Sequence, residues 1–243
     1  MKPQPLRRWV AGVDGCRGGW VVVLIPLGRE GVRGEPRVRL CPRFAQVLAL
    51  PERPRPIVVD MPIGLLDAPR TGGRDCDRQA RALLAARRSS VFSSPVRAAL
   101  AARTYDEAQQ LNGAGLSRQV YGILAKIREV DRCLHPRLQR RVIEGHPELA
   151  FLRLAGAPLR EPKKTPAGRA RRLRLLREIV DVDAAWVARN RAALGTGNAQ
   201  PDDLVDACAL ALTARRVAQG KARRLPPGVP PRDHAGLRME IWF

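Results

Sequence analysis

Three short apolar runs in this chain each close on an acidic residue, and no other feature narrows its possible folds as much. Val10–Val13 runs into Asp14, Ile57–Val59 into Asp60, and Val142-Ile143 into Glu144. Runs this short and this rich in β-branched residues suit strands, and the one at Ile57, set between prolines, suits a central strand buried on both faces. In open α/β sheets ligands collect in the crevice beyond the strand ends, so acids at three such ends are placed to share one site.

The first run is followed by Gly15-Cys16-Arg17-Gly18-Gly19 and then by a second apolar run, Trp20–Ile25. Glycines supply the positive φ of tight turns, so this stretch reads as a β-hairpin. Val38–Leu40 adds a third antiparallel strand after the polar, glycine-rich Gly28–Pro36, and Phe44–Leu50 a short helix stopped by Pro51. From about Thr71 to Pro136 the pattern is mostly helical. Asp75–Arg88 is rich in alanine and arginine, and Leu116–Leu134 carries Val120, Ile123, Leu124, Ile127 and Val130 at helical spacing. Residues 71–136 therefore read as a helical insertion beside the sheet. Beyond the strand Val142–Glu144 come a short helix at Glu148–Ala155, a basic loop Pro162–Pro166, and a helix Ala167–Val180. Leu173, Leu176 and Val180 give that helix its core face, and its arginines are expected to face outward. Pro201 suits the first position of a helix reaching Ala218. Leu225–Arg232 reads as a tail or linker, and Met239–Phe243 as a terminal edge strand. The order predicts a mixed sheet with helices packed on it, a standard layered α/β solution.

The helix that begins at Pro201 adds further acids. Asp202, Asp203 and Asp206 are spaced three and four apart, which places them on one side of it, away from Leu204, Cys208, Ala211 and Leu212. Crowded carboxylates raise one another's pKa, and a divalent cation relieves that repulsion. Oxygen donors with one or two carboxylates per ion match Mg²⁺, and two ions about 3.5–4 Å apart can activate a water and stabilise the leaving oxygen of a phosphodiester. The expected cofactor is thus Mg²⁺ or Mn²⁺, as two ions held by Asp14, Asp60, Asp203 and Asp206. Each acid also has a plainer reading: Asp14 as a hairpin-turn residue, Asp60 as the cap of a proline turn, Glu144 as the partner of an arginine, and Asp202 and Asp203 as favourable charges at a helix N-terminus. Asp206 lies too far into its helix for a cap. His146, close to Glu144, is either a proton shuttle or phosphate contact, or a structural histidine.

Forty-four basic residues against 23 acidic ones give a net charge of +21, which attracts polyanions through salt-sensitive, sequence-independent contacts. The excess is nearly all arginine in an Ala-, Pro- and Gly-rich chain, a bias that a GC-rich genome also produces, so the charge permits nucleic acid as partner without establishing it. Five scattered cysteines with no CxxC spacing argue against a disulfide framework or a zinc site. The longest apolar stretch, Trp20–Leu27, is broken by Pro26 and is too short to span a bilayer, and Lys2, Arg7 and Arg8 are followed by no signal-peptide core. The expectation is a cytoplasmic protein without membrane contact; its oligomeric state is left open.

The segments Gly12–Trp20, Asp60–Leu65, Glu144–Glu148 and Asp202–Ala207, together with Arg74–Arg81, Ser90–Pro95 and Gln119–Asp131, resemble in order the signatures of a bacterial and archaeal family of predicted ribonuclease-H-like nucleases. The resemblance implies one ribonuclease-H-like domain over residues 1–243, with 71–136 inserted. It implies catalytic roles for Asp14, Asp60, Glu144 and Asp206 and substrate contact from Lys163 and Lys164, to which Arg17 and His146 are added as substrate contacts read from the residues themselves. The activity it implies is divalent-metal-dependent phosphodiester hydrolysis of nucleic acid. Two other readings stand beside it. Actin-like phosphotransferases and ATPases also begin with an Asp-Gly-rich hairpin, whose turn, here Arg17-Gly18-Gly19, binds phosphate. A basic protein that binds nucleic acid without catalysis is the third.

Overall fold

The computed structural model describes residues 8–27 and 36–243. Lys2 and Arg7, read above for a missing signal-peptide core, and most of the glycine-rich connection Gly28–Pro36 lie outside the described residues. Strand β1 (Arg8–Cys16) pairs antiparallel with β2 (Gly19–Leu27), which pairs antiparallel with β3 (Arg37–Cys41). After the short helix α1 (Phe44–Leu48), β4 (Ile57–Val59) returns parallel to β1, and β5 (Val142–Glu144) adds parallel to β4. The sheet order β3-β2-β1-β4-β5 is the ribonuclease-H-like mixed sheet that the sequence predicts. The register sets Val13 beside Val59 and Val59 beside Glu144, so the acids after these three parallel strands emerge at one end of the sheet.

Alternation along the strands sends side chains to two helical layers. Ala11, Val13, Trp20, Val22 and Leu24 face one cover, built by α1 and by α4 (Arg118–Cys133) through Val120, Leu124, Ile127 and Val130. Val10, Val21, Val23, Val58 and Ile143 face the other. That cover consists of α5 (Pro147–Ala155), α6 (Pro166–Arg177), α7 (Ala184–Ala193) and α8 (Pro201–Ala218). The helical insertion lies not merely beside the sheet: its longest helix is one of the two covers, because α4 has a full apolar stripe to bury. The rest of the insertion holds α2 (Asp75–Leu84) and α3 (Tyr105–Asn112).

Helix α8 is the packing axis of the second layer. Every residue from Leu204 to Ala214 is buried, and the helix lies so close to β1 that a Cβ on Gly12 would stand 2.1 Å from both the Ala207 carbonyl and the Ala211 amide nitrogen. Only glycine permits that approach.

At the C-terminus β6 (Arg224–Leu225) and β7 (Ile241–Trp242) form a two-stranded sheet, and Trp242 of the terminal strand also bridges in parallel to Gly145, just beyond the edge strand β5. The segment after the expected tail is anchored as well. The buried Asp233 carboxylate accepts from the amides of Leu65 (3.1 Å) and Leu237 (2.8 Å) and pairs with Arg97. No helix among the described residues is long and apolar enough to cross a membrane.

Candidate active site

The ends of β1, β4 and β5 open on a cleft of about 380 Å³ whose walls include Asp14, Asp60, His146, Glu148, Lys163 and Lys164. Main-chain contacts set its base. The Asp60 amide donates to the Val13 carbonyl (3.0 Å), so the two strands release Asp14 and Asp60 side by side, and Asp14 Oδ1 accepts from the next amide, Gly15 (2.7 Å). Asp206 comes from α8, one residue before the Ala207 carbonyl that Gly12 admits so closely. Its side chain is 2% exposed, and its Oδ2 accepts from Lys163 Nζ at 2.7 Å.

These carboxylates act on one another. Burial raises the Asp14 pKa well above the usual carboxylate range, Asp60, Asp206 and Asp203 raise it further, and Lys163 opposes them. Asp60 is raised by burial and by Glu148, against His146 and Lys163. Asp206 is pushed up to about 6 by burial, with Asp60 and Glu148 adding to the effect of burial and Lys163 restraining it. Burial works to depress Lys163, but Asp206, Asp14 and Asp60 outweigh it and hold the ammonium charged. Anions this crowded and this dry keep their charge poorly without cations beside them.

The donor chemistry fits a hard divalent cation, because Asp14, Asp60 and Asp206 are oxygen donors whose repulsion such an ion relieves. Among the described residues no three acidic, histidine or cysteine side chains already surround a common point.

Residues 12–230 match the model of one protein family, DUF429, described as a protein of unknown function. The chain belongs to the DUF429 family. No curated protein and no solved structure matches it. The DUF429 match contains every residue of the cleft named above.

The DUF429 chain distributes the residues singled out in the sequence unevenly. Asp14, Asp60, His146, Lys163 and Lys164 line the cleft, and Asp206 lies beneath Lys163. His146 sets Nε2 3.2 Å from the Ser90 carbonyl, while its buried Nδ1 has no hydrogen-bond partner among the described residues. Asp203 turns back to cap α8, accepting from the Gln200 amide at 2.8 Å, and reaches Asp14 only through its charge. Asp202 stands 3.5 Å from Arg169, and Arg17 is exposed in the β1–β2 turn away from the cleft lining.

Glu144 faces elsewhere. Its oxygens accept from Arg74 at 2.6 and 2.8 Å and from the Ile63 amide at 2.7 Å, and Arg74 also holds Asp77 at 2.7 Å, all of it buried. This is the arginine pairing weighed above as the plainer reading. The fourth acid of the cleft is instead Glu148, in the first turn of α5. It pairs with Arg172 (2.7 Å) and, more loosely, with Arg87 (3.4 Å). Arg172 corrects the expectation that the arginines of α6 face outward. Fully buried, it donates to Glu148 and to the carbonyls of Glu161 and Gly168, over the ring of Phe151. A buried carboxylate needs a cation, and the cation follows it inside.

Proposed function

We propose that this cleft hydrolyses phosphodiester bonds of nucleic acid with the help of a divalent metal, Mg²⁺ or Mn²⁺. One observation carries the reading: Asp14, Asp60 and Asp206, far apart in sequence, meet at one end of the sheet with their pKa values raised by burial and by the charge of neighbouring acids. The resemblance of the chain to predicted ribonuclease-H-like nucleases supports the same reading, as does the net charge of +21. Asp14, Asp60 and Asp206 would hold the metal, which would supply Lewis-acid chemistry there: polarisation of a phosphoryl oxygen and a lowered pKa for a water. The chain's own residues do the rest. Lys164 and Arg87, at the mouth of the cleft, draw a phosphate backbone in. His146, with its unpartnered Nδ1 in a cleft of acids, is placed to accept a proton.

The turn that an actin-like phosphotransferase would offer to phosphate is already in use. The Gly18 amide donates to the Asn198 carbonyl at 2.9 Å, and a Cβ there would stand 2.7 Å from Asn198 Cβ. Cleavage of end-labelled DNA and RNA with Mg²⁺ or Mn²⁺ tests the proposal. Asp14→Asn and Asp206→Asn are each expected to lower turnover at least about a hundredfold, as loss of a metal ligand does, with circular dichroism unchanged. Equal cleavage by the wild type and both variants would refute the assigned roles. Nucleic-acid binding that survives in every variant, with no cleavage by any of them, would point to a non-catalytic binding protein.

A further inference from the structure

The loop that carries Lys163 is fastened more firmly than a surface loop needs to be. Thr165 caps α6, its Oγ1 accepting from the Gly168 amide (3.1 Å) and donating to the Pro162 carbonyl (2.8 Å). A Cβ on Gly168 would lie 2.0 Å from that same carbonyl, so the loop lies directly on the helix. Arg172 binds the Glu161 carbonyl with one nitrogen and Glu148 with another, which ties the loop to the cleft wall. Lys163 is thereby presented to Asp206 by a built scaffold, and its ammonium lies within the field of Asp14 and Asp60 as well.

Charge balance then limits what else the cleft can hold. Ionised Asp14, Asp60 and Asp206 carry three negative charges, which one divalent cation and one ammonium neutralise. Two divalent cations beside the ammonium would leave two positive charges in excess in a cleft whose Asp14 and Asp206 are buried and whose Asp60 and Lys163 are half-buried, an unfavourable state. Glu148 offers little relief, since Arg172 and Arg87 already claim it. The geometry points to Lys163 as a resident counter-cation that takes the place of one of the two expected metal ions, so that the cleft binds a single divalent cation on Asp14, Asp60 and the Asp206 oxygen that Lys163 leaves free. This rests on the metal-site reading above and changes its stoichiometry.

Titration of MnCl₂ into the metal-free full chain, followed by calorimetry and by Mn²⁺ electron paramagnetic resonance, counts the ions directly and needs no turnover. One Mn²⁺ per wild-type chain is expected. Lys163→Met is expected to take up a second ion or to bind the first at least tenfold more tightly, while Lys163→Arg keeps the wild-type count. Two ions in the wild type would overturn the counter-cation role and leave the metal site standing. One ion of unchanged affinity in Lys163→Met would overturn it too. No Mn²⁺ bound by either protein would bring down the metal-site reading and this inference together. The wild-type count decides the question even if Lys163→Met fails to fold.

Discussion

At the scale of single residues, two buried acids, Asp206 and Glu144, are both pushed up by burial but meet different cations. Asp206 has its pKa raised to about 6 on folding, chiefly by burial. The folded chain therefore holds that proton more tightly than the unfolded chain, and stability falls as pH rises from about 4 to about 6, after which the penalty is complete. Asp206→Asn is expected to make the metal-free protein more stable at pH 8 by about 1–3 kcal/mol, the gap closing as pH falls toward 4. Urea denaturation at the two pH values checks this, and Mn²⁺ should stabilise the wild type but not the variant. Glu144 is also pushed up, to about 7, by burial, but it anchors the buried Arg74 guanidinium through contacts at 2.6 and 2.8 Å, and Glu144→Ala is expected to cost about 3–5 kcal/mol because it strands that guanidinium. A melting curve that hardly moves would contradict that. Sequence pattern flags Glu144 as the end of an apolar run and Asp206 as one of three acids on one side of a helix. What separates them is which cation lies opposite. Arg74 is 70 residues from Glu144, and Lys163 is 43 from Asp206, so pairing of this kind is decided by the tertiary fold alone. Glu148 is obscured for a related reason: an acid in the first turn of a helix already has a local explanation in the helix dipole.

At the scale of elements, the contact between β1 and α8 matters most. Gly12→Ala forces a methyl carbon against the main chain at Ala207 and Ala211, and neither side can yield without shifting the helix. Overpacking of this kind costs about 1–3 kcal/mol or more, and here it also moves Asp206 relative to Asp14. The variant is expected to melt earlier and to bind Mn²⁺ more weakly; melting and metal affinity equal to those of the wild type would show that the seam has slack. The strands of the sheet and α8, from Pro201 to Ala218, are legible in the sequence because each has a strong apolar pattern or a proline at its start. Helix α7 is not, since Ala184–Ala193 has little apolar periodicity, although Asp183 accepting from the Trp186 amide is a cap that sequence could have suggested. The two-residue strands β6 and β7 exist only because the folded chain brings them together.

At the scale of the whole molecule, a net charge of +21 surrounds a cleft whose base is acidic. Capture of a polyanion and chemistry on it are thus assigned to different groups and should separate experimentally. Binding of a labelled oligonucleotide is expected to weaken about a thousandfold between 50 and 200 mM salt if some six phosphates are engaged, and equally so in Asp14→Asn and Asp206→Asn. A salt-independent affinity would remove nucleic acid as the partner. The main-chain seam at Gly12 has one more consequence. With peptide groups touching on both sides, the distance between strand and helix is a constant that no side-chain choice can adjust, whereas the walls contributed by the inserted helices are ordinary side-chain surface. Divergence among related chains is then free to retailor what enters while the chemistry beneath stays in register.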